Sequence, residues 1–280
     1  MRRFLVLFAA NIFLFSTAFA QSDLDLTKYS SLKAVEDQVQ DITDAVHSGM
    51  NVLDWTDGSG PTLFRVSVDV FAGFGSFDAL PEIGLKDSGI APGALGVQGG
   101  FGTAGLEAYV RYFPELTVSD VDLSSIGFGL KYELSKIVPI PMLPSTSVYV
   151  DYNTLSFGVN ATRKGSVPYS GNNGTTNVSY EAKSGIDMAF STINIGLIAS
   201  YDLVLVRFYG KLAYEIGSTD IDWNYVTAVS ETEYEIRKNS DEFTNSGLRY
   251  GVGMSLFGIK AEAGGRGSNL YFGVGYGISI

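Results

Sequence analysis

The sequence contains no cysteine and only one histidine in 280 residues. The lack of cysteine excludes a disulfide framework, a thiolate zinc site and a lipid-modified N-terminal cysteine. Charged residues make up only 18% and the net charge is -11, so nucleic acid is not expected as a partner. After Gln21 there is no apolar run long enough to cross a bilayer as a helix. Glycine (33 residues), Phe (18) and Tyr (16) are abundant instead, which disfavours disorder and a charged helical protein.

Residues 1–20 have the pattern of a secretory signal peptide. Arg2 and Arg3 precede the apolar run 4–15, and Ala18-Phe19-Ala20 provides a small-residue cleavage site. We therefore expect removal of the signal near Ala20 and export from the cytoplasm. The predicted domains are the signal peptide 1–20, a helix and linker at 21–61, and a β domain at 62–280.

One amphipathic helix is predicted before the β domain, from Thr27 to Val52. Its apolar residues recur at three- and four-residue steps, namely Leu32, Val35, Val39, Ile42 and Val46. Its apolar stripe must pack against another surface. In a β-barrel protein the helix could enter the lumen as a plug, close the periplasmic mouth, pack on the barrel or bind a partner. The sole histidine, His47, is expected to have no specific chemical role. Residues 54–61 are rich in Asp and Gly and are predicted to form a turn that leads into the first strand.

From Thr62 onward the apolar period changes from 3.6 to 2. Phe64, Val66, Val68 and Val70 share one face of the first predicted strand, and charged residues occupy the other face. A closed membrane barrel explains this pattern, because its apolar face meets lipid and its charged face lines the lumen. The charged residues predicted to face the lumen are Arg65, Asp69, Glu107, Arg111, Lys131, Glu133, Asp151, Arg207, Lys211, Glu215, Arg249, Lys260 and Glu262. Asp187 is predicted to face the same interior.

Turn lengths alternate between long and short along the chain, as in outer-membrane barrels. Short turns are predicted near 102–103, at Asp202 and at 257–258. Long loops are predicted at 160–184 and at 217–246, the latter strongly acidic, with a hairpin extension over 223–236 as an alternative. The sequence thus predicts an all-β fold, an antiparallel transmembrane barrel of about 10 strands (an even number, 8–14). A slip of the strand register is predicted between Phe190 and Ile193.

The last stretch, residues 269–280, is predicted to be the closing strand. Large apolar residues alternate with small ones, so that Gly273, Gly275 and Gly277 would face the lumen beside Gly251 and Gly253. This side of the lumen would be bare of side chains, and the helix, a tyrosine or a solute is expected to rest there. The outward residues that resemble a C-terminal signal for the barrel-assembly machinery are Phe272, Tyr276, Ile278 and Ile280.

Three segments carry a resemblance to known families: GVQGGFGTAGLEAYVRYFP (96–114), IGFGLKYELSKIVP (126–139) and the closing hairpin. Together they resemble an uncharacterised family of outer-membrane barrels from the Bacteroidota, in which a signal peptide and a short helix precede the barrel. The order of helix and barrel is, more loosely, similar to the long-chain fatty-acid porins. The resemblance implies an outer-membrane location in a Gram-negative bacterium and an architecture, and it transfers no reaction.

The sequence does not indicate an enzyme. The known types of outer-membrane barrel enzyme depend on a histidine, and His47 lies outside every predicted strand. The predicted lumen has similar numbers of acids and bases, as expected of a network of ion pairs. No cofactor and no metal are expected.

Two functional hypotheses remain. The first is a narrow or plugged channel or transporter for a small or hydrophobic solute. The second is a non-conducting structural or adhesive barrel that acts through its outer loops. The expected partners are outer-membrane lipid, lipopolysaccharide and the barrel-assembly machinery, with a bridge between the acidic loop and lipopolysaccharide through divalent cations as a further option.

Overall fold

The structure is a computed structural model that describes residues 32–77, 89–118, 121–137, 144–171, 174–229 and 232–280. The predicted signal peptide and the first residues of the predicted helix, 27–31, lie outside the described residues. Helix α1 spans Leu32–Met50 and is followed by a chain of strands. The strands are β1 Phe64–Phe77, β2 Gly89–Thr103, β3 Leu106–Val118, β4 Val121–Glu133, β5 Ser145–Gly171, β6 Gly174–Asp202, β7 Val206–Val229, β8 Thr232–Leu256, β9 Ile259–Arg266 and β10 Asn269–Ser279.

The strands form one closed barrel, in which each strand is antiparallel to its sequence neighbours. β1 pairs with β10 from Ser67↔Ser279 to Gly75↔Tyr271, so the ladder has no open edge. Closure satisfies the backbone hydrogen-bonding groups of every wall strand, which a membrane-spanning sheet requires. The prediction of a barrel of about ten antiparallel strands with one preceding helix is confirmed.

The two ends of the barrel differ in their connections. The short-turn end carries the turns at 104–105, 203–205 and 257–258, together with Ile280. At two of these turns both central residues have positive φ: Ala104 (49°) with Gly105 (85°), and Phe257 (50°) with Gly258 (84°). Such turns match the twist of the flanking strands. The turn predicted at 102–103 lies two residues later, because β2 continues to Thr103.

The opposite end, which we call the hairpin end, differs from the prediction of long loops, and the alternative of a hairpin over 223–236 is confirmed by the pairing from Trp223↔Asn239 to Val229↔Thr232. Residues 160–184 and 217–246 are mostly paired strands, from Asn160↔Gly185 to Gly171↔Gly174 and from Gly217↔Asn245 to Val229↔Thr232. The polar composition that suggested loops belongs to strands that continue beyond the apolar belt, where an outward face that does not meet lipid need not be apolar.

The register slip predicted between Phe190 and Ile193 is wrong. β6 pairs without interruption across these positions with both β5 and β7. Asp187 therefore lies on the outward face with Ile193 and Ile195, and its side chain is exposed. Asp187 is not a lumen residue, because a strand that keeps its register keeps odd-numbered residues on one face.

The outward face of the barrel is an apolar belt. On each strand at least one large apolar side chain is exposed: Val68, Val97, Val110, Phe128, Val150, Ile195, Leu212, Val252, Ile259 and Val274. A continuous exposed apolar surface of this kind fits the hydrocarbon core of a bilayer. Within the described ranges, no helix is both long enough and apolar enough to cross a membrane.

The belt generates a test by charge substitution. Leu212, in the middle of the exposed apolar run from Phe208 to Ile216 on the outward face of β7, is 47% exposed and pairs with Leu197 and Tyr250. Leu212→Arg should lower the free energy of unfolding in lipid vesicles by about 2–4 kcal/mol, because arginine near the bilayer midplane is costly. The matched control is Thr244→Arg, on the outward face of β8 beyond the belt, which should change it by less than about 1 kcal/mol. Equal effects of the two variants would contradict a membrane-embedded belt.

Candidate functional site: the filled lumen

The N-terminal segment 43–61, which we call the plug, runs lengthwise through the lumen. Asp44, near the hairpin end, contacts Asn245 and Arg266. At the other end Pro61 accepts a hydrogen bond of 2.8 Å from the backbone N–H of Gly105 in a short turn. Residues 54–61, predicted as a turn before the first strand, instead form an irregular thread inside the barrel. The helix ends at Met50, two residues before the predicted end.

Glycines on β1, β2 and β10 allow the plug to touch the wall backbone. A Cβ on Gly75 would overlap the carbonyl oxygen of Ala45, and one on Gly93 would overlap the backbone of Gly49. A Cβ on Gly273 would likewise overlap the side chain of Val52. A larger residue at any of these positions would therefore displace the plug.

The other predicted lumen glycines are also covered. Tyr271 lies over Gly251, Tyr209 over Gly253 and Asp69 over Gly277. At Gly275 an added Cβ would lie 3.1 Å from Leu53 Cδ1. The side of the lumen that the sequence predicts to be bare thus receives plug residues and tyrosines.

Near the hairpin end, His47 and Asp44 face the wall from α1. The Nε2 atom of His47 lies 2.7 Å from Thr219 Oγ1, and its ring meets Phe190 edge-on at 5.6 Å. Burial, together with the nearby charge of Arg266, lowers the pKa of His47 to about 3, so the ring is neutral. Burial raises the pKa of Asp44 although Arg266 opposes this effect. His47 thus has a packing role that the sequence did not reveal.

The C-terminal carbonyls of α1 are bound by arginines of the wall. Arg249 donates to the carbonyl oxygen of Ser48 (2.6 Å), and Arg111 donates to those of Met50 (3.3 Å) and Val52 (3.0 Å). The last carbonyls of a helix have no intrahelical partner and carry partial negative charge, so cations bind there favourably. The guanidinium of Arg249 also lies 3.8 Å from the centroid of the Tyr271 ring.

Asn51, the residue directly after α1, links the plug to the three strands β5, β6 and β7. Its side-chain amide donates to Glu215 (2.8 Å) and Thr192 (3.0 Å), and its amide oxygen accepts from Asn153 (2.6 Å). Glu215 has no exposed surface and also pairs with Arg249 at 3.4 Å. A buried carboxylate is stable only where such donors surround it.

A buried ion cluster holds the middle of the plug. Lys211 contacts Asp54 of the plug and lies 2.8 Å from Glu262 of the wall. Burial alone would raise the pKa of Asp54, but Lys211 and Arg111 lower it below its usual value. The backbone N–H of Leu53 donates to Glu262 at 3.2 Å. Asp54 is therefore ionised and fixed to the wall at neutral pH.

A second cluster surrounds Asp57 closer to the short-turn end. Asp57 accepts from Arg65 (3.0 Å) and Arg207 (2.6 Å), and its backbone carbonyl accepts from Lys131 (2.6 Å). Burial would raise the pKa of Asp57, but Lys131 and Arg207 lower it. Lys131 also pairs with Glu107 at 2.8 Å. Asp57 thus joins cations from three strands of the wall.

The remaining predicted residues also lie on the inner face. Glu133 accepts from the backbone N–H of Gly60 at 2.8 Å, and Lys260 pairs with Asp69. Asp151 is 2% exposed and accepts from Asn153 (3.1 Å) and from Asn194 (3.0 Å). Sequence reasoning missed the plug residues that bind the wall, and it missed the wall residues Asn194, Ser200 and Arg266. These three share the inward parity of predicted neighbours, so the alternation of each strand could have identified them.

A cavity of about 360 Å³ remains at the short-turn end, between the plug and the wall. Its lining is charged: it includes Asp57, Arg65, Asp69, Arg207 and Lys260. Such a lining does not suit a hydrophobic solute. Within the described parts of the chain, no group of three or more His, Asp or Glu side chains is arranged to hold a metal ion.

Fold and site together define a closed ten-stranded barrel whose lumen is filled by the segment that precedes the first strand. The chain belongs to DUF6588, a family of unknown function whose sequence profile matches residues 60–278. No curated protein matches this chain.

Solved barrel structures show weak similarity. Ail, the attachment invasion locus protein of Yersinia pestis, has 10% identity and a TM-score of 0.29, covering 78% of this chain and 100% of Ail. The CymD monoaromatic hydrocarbon channel has 7% identity and a TM-score of 0.22, covering 84% of this chain and 93% of CymD. The translocator domain of the autotransporter NalP from Neisseria meningitidis has 12% identity and a TM-score of 0.19, covering 88% and 96%. Similarities this low carry no functional assignment.

The Asp54–Lys211–Glu262 cluster generates a stability prediction. Lys211→Met should lower the free energy of unfolding by about 3–5 kcal/mol, because it leaves two buried carboxylates without their cation. The control is Lys260→Met, at the edge of the cavity, where the Lys260 side chain is 17% exposed and water in the cavity can reach Asp69, so the loss should be smaller. Denaturant unfolding monitored by tryptophan fluorescence measures both. Equal losses would show that the mid-lumen cluster does not hold the plug.

The neutral state of His47 generates a prediction of pH dependence. The pKa of His47 is about 3 in the folded protein, whereas an unfolded histidine titrates near about 6.5. The contribution of His47 to the free energy of unfolding is fully present above about pH 6.5. It is lost as the pH falls towards 3, because in this range only the unfolded chain takes up the proton on His47. Between pH 6 and 4, His47 should make the free energy of unfolding fall by up to about 1.4 kcal/mol for each pH unit. His47→Gln should remove this part of the pH dependence. An unchanged slope in urea titrations would contradict a buried neutral His47.

Proposed function

We propose that this chain is a sealed outer-membrane barrel of a Gram-negative bacterium that acts as a non-conducting surface scaffold through its hairpin end. The observation that carries the proposal is the continuous bonding of the plug to the wall. The signal-peptide pattern of residues 1–20, with removal near Ala20, and the apolar belt support the location. The outward Phe272, Tyr276, Ile278 and Ile280 of the closing strand, which are 41–85% exposed, are proposed to be recognised during assembly.

The strength of the plug contacts argues against spontaneous opening. Hydrogen bonds join the wall to the plug from His47 near the hairpin end to Pro61 at the short-turn end. A hydrogen bond between neutral groups contributes about 1 kcal/mol net to stability, and one to a charged group about 1.5–3 kcal/mol. Displacing the plug would break many of these bonds at once and leave buried charges such as Glu215 and Arg249 without partners in the plug. A small solute at ordinary concentrations therefore does not displace the plug.

The hairpin end is the part of the barrel that projects furthest from the belt. The β5–β6 ladder continues beyond Leu155↔Phe190 to Gly171↔Gly174. At about 3.4 Å per residue this hairpin extends on the order of 50 Å along the strands. We orient this end towards the outside of the cell, because outer-membrane barrels have short turns on the periplasmic side. The proposed partners are outer-membrane lipid and lipopolysaccharide at the belt, and a molecule outside the cell at the hairpins.

No enzymatic role is proposed. The only histidine, His47, is neutral and bound to Thr219, with its ring packed on Phe190, and the lumen carboxylates Asp54, Asp57, Glu215 and Glu262 are engaged by cations. A general base must reach its substrate through a path that admits it. The plug blocks that path at Asp54 and Trp55, above the cavity at the short-turn end.

A gated channel is the second candidate, and the cavity at the short-turn end favours it. This cavity would admit a small polar or charged solute as far as Asp54 and Trp55, where the plug closes the path. Its charged lining favours such a solute over a hydrophobic one. Conduction would then require the plug to move.

Planar-bilayer recordings distinguish the two candidates. The purified wild-type protein should give no discrete conductance steps. Gly75→Leu should produce steps, because a side chain at Gly75 overlaps the Ala45 carbonyl and the Ser48 side chain and displaces α1. The matched control is Gly99→Leu on the outward face of β2, where no atom lies within 4 Å of an added Cβ, and it should stay silent.

The outcomes that contradict the scaffold are distinct. Discrete steps from the wild-type protein would establish the channel instead. Silence of Gly75→Leu, in protein whose heat-modifiable gel migration shows an intact barrel, would show that the plug is not what closes the lumen.

A further inference from the structure

The cavity at the short-turn end exposes more positive than negative charge. Acids and cations line it in equal number, but they are not equally accessible. The side chains of three of its acids are only 8–9% exposed, namely Asp57, Asp69 and Glu107. Those of three of its cations are 17–31% exposed, namely Arg65, Arg207 and Lys260. The remaining acid, Asp54, and the remaining cation, Lys131, are buried. The surface that a solute meets in this cavity is therefore cationic.

Arg65 keeps a free edge for a second partner. Its Nη1 atom bonds Asp57 and lies 3.6 Å from Glu107, whereas its Nε and Nη2 atoms bond no residue that the structure describes. In Arg207, by contrast, the Nε, Nη1 and Nη2 atoms are all bound, to Asp202 and Asp57. The Nε and Nη2 groups of a guanidinium donate in parallel, which matches two oxygens of a carboxylate or a phosphate.

Four neighbouring strands place further donors on the cavity wall. Lys260 on β9 has three N–H donors, and its bond to Asp69 uses one of them. Ser255 on β8 pairs with Lys260, and Ser67 on β1 pairs with Ser279 on β10. The hydroxyls of these three serines line the cavity and bond no described side chain or backbone group. Because Asp69 lies two residues after Ser67 on the same face of β1, the ammonium of Lys260 lies near these hydroxyls.

The cavity has the shape of a pocket that is closed at one end. Asp54 and Trp55 of the plug close it towards mid-lumen, and the exposed Phe257 of the β8–β9 turn borders it at the short-turn end. Its volume of about 360 Å³ lies in the lower part of the range of small-molecule sites. A small molecule can therefore enter it from the short-turn end without any movement of the plug.

We propose that this cavity is a binding site for a small oxyanion, a carboxylate or a phosphate. The Nε and Nη2 groups of Arg65 hold two of its oxygens, and Lys260 and the hydroxyls of Ser67, Ser255 and Ser279 donate to the anion from the adjoining strands. Such a site is compatible with a sealed barrel and with a gated channel, so it stands independently of the proposed function. Only the entry of the anion from the periplasm rests on the orientation given there.

Calorimetric titration of the purified, folded barrel in detergent tests this site. Inorganic phosphate and succinate are the two probes, and glycerol is the uncharged control. The expected result is one saturable site for each chain with at least one of the two anions and none with glycerol. The anion that binds more tightly identifies the site as one for phosphate or one for carboxylate.

Two substitutions examine the residues of the site. Arg65→Lys keeps a positive charge beside Asp57 but lacks the two parallel donors, so it should weaken binding by about tenfold. Lys260→Met should weaken it by a similar factor. The matched control is Lys136→Met, which removes a positive charge at the same end of the barrel but outside the cavity lining. This control should change the affinity by less than about twofold, because a solvent-screened charge at a distance has little effect.

Heat-modifiable gel migration checks that each variant has folded. If Arg65→Lys does not fold, Ser67→Ala replaces it, and loss of this hydroxyl should weaken binding several-fold without a change of charge. The proposal is overturned if neither anion binds the wild-type barrel at millimolar concentration. It is also overturned if Lys136→Met weakens binding as much as Arg65→Lys or Ser67→Ala does, since the anion would then be attracted by the overall charge of this end and not held in the cavity.

Discussion

The structure depends on one constraint: the inner wall of a ten-stranded barrel carries more charge than its own side chains can satisfy. Arg111, Lys131, Lys211 and Arg249 are nearly inaccessible to solvent, and each donates to a backbone carbonyl or a carboxylate of the plug. Without these acceptors, cations would remain in an interior where an unpaired charge is costly. The plug thus both fills the lumen and supplies the acceptors that the buried cations of the wall need.

Close backbone approach is the second requirement, and it explains why the glycines are concentrated on β1, β2 and β10. Gly49 of the plug meets Gly75 and Gly93, so that helix and wall are in contact without intervening side chains. On the opposite wall Asn51 reaches Glu215 and Thr192 through its side chain. The plug therefore lies off-centre, with its backbone on one side of the lumen and its polar side chains directed to the other.

The sequence predicted those parts of the fold that have a local period. The two-residue alternation of β10 identified Phe272 and Val274 as outward and Gly273 as inward, because a strand in a barrel has only these two directions. The sequence favoured a loop at 160–184 and predicted a hairpin over 223–236 only as an alternative, since beyond the belt neither face of a strand needs to be apolar. Asp187 was misplaced because a register slip was assumed where the pairing is regular.

The thread through the lumen was not predictable from local pattern. Asp54 and Asp57 lie in an irregular stretch of Gly, Ser and Asp, which is also the composition of an ordinary turn. Their partners Lys211 and Arg207 are separated from them by about 150 positions in the chain, and only the closed barrel brings them together. A single sequence carries no signal for such a pairing.

The position of the plug also bears on the order in which the molecule is built. The strands beneath α1 include β1 and β10, the two whose pairing closes the ladder. A helix can be laid on β1 and β2 while the sheet is still open, and β10 then covers its remaining side as it pairs with β1. Threading the same segment into a finished cylinder would require its charged residues to pass those of the wall one by one. The pairing of β1 with β10 thus both closes the ladder and covers the plug.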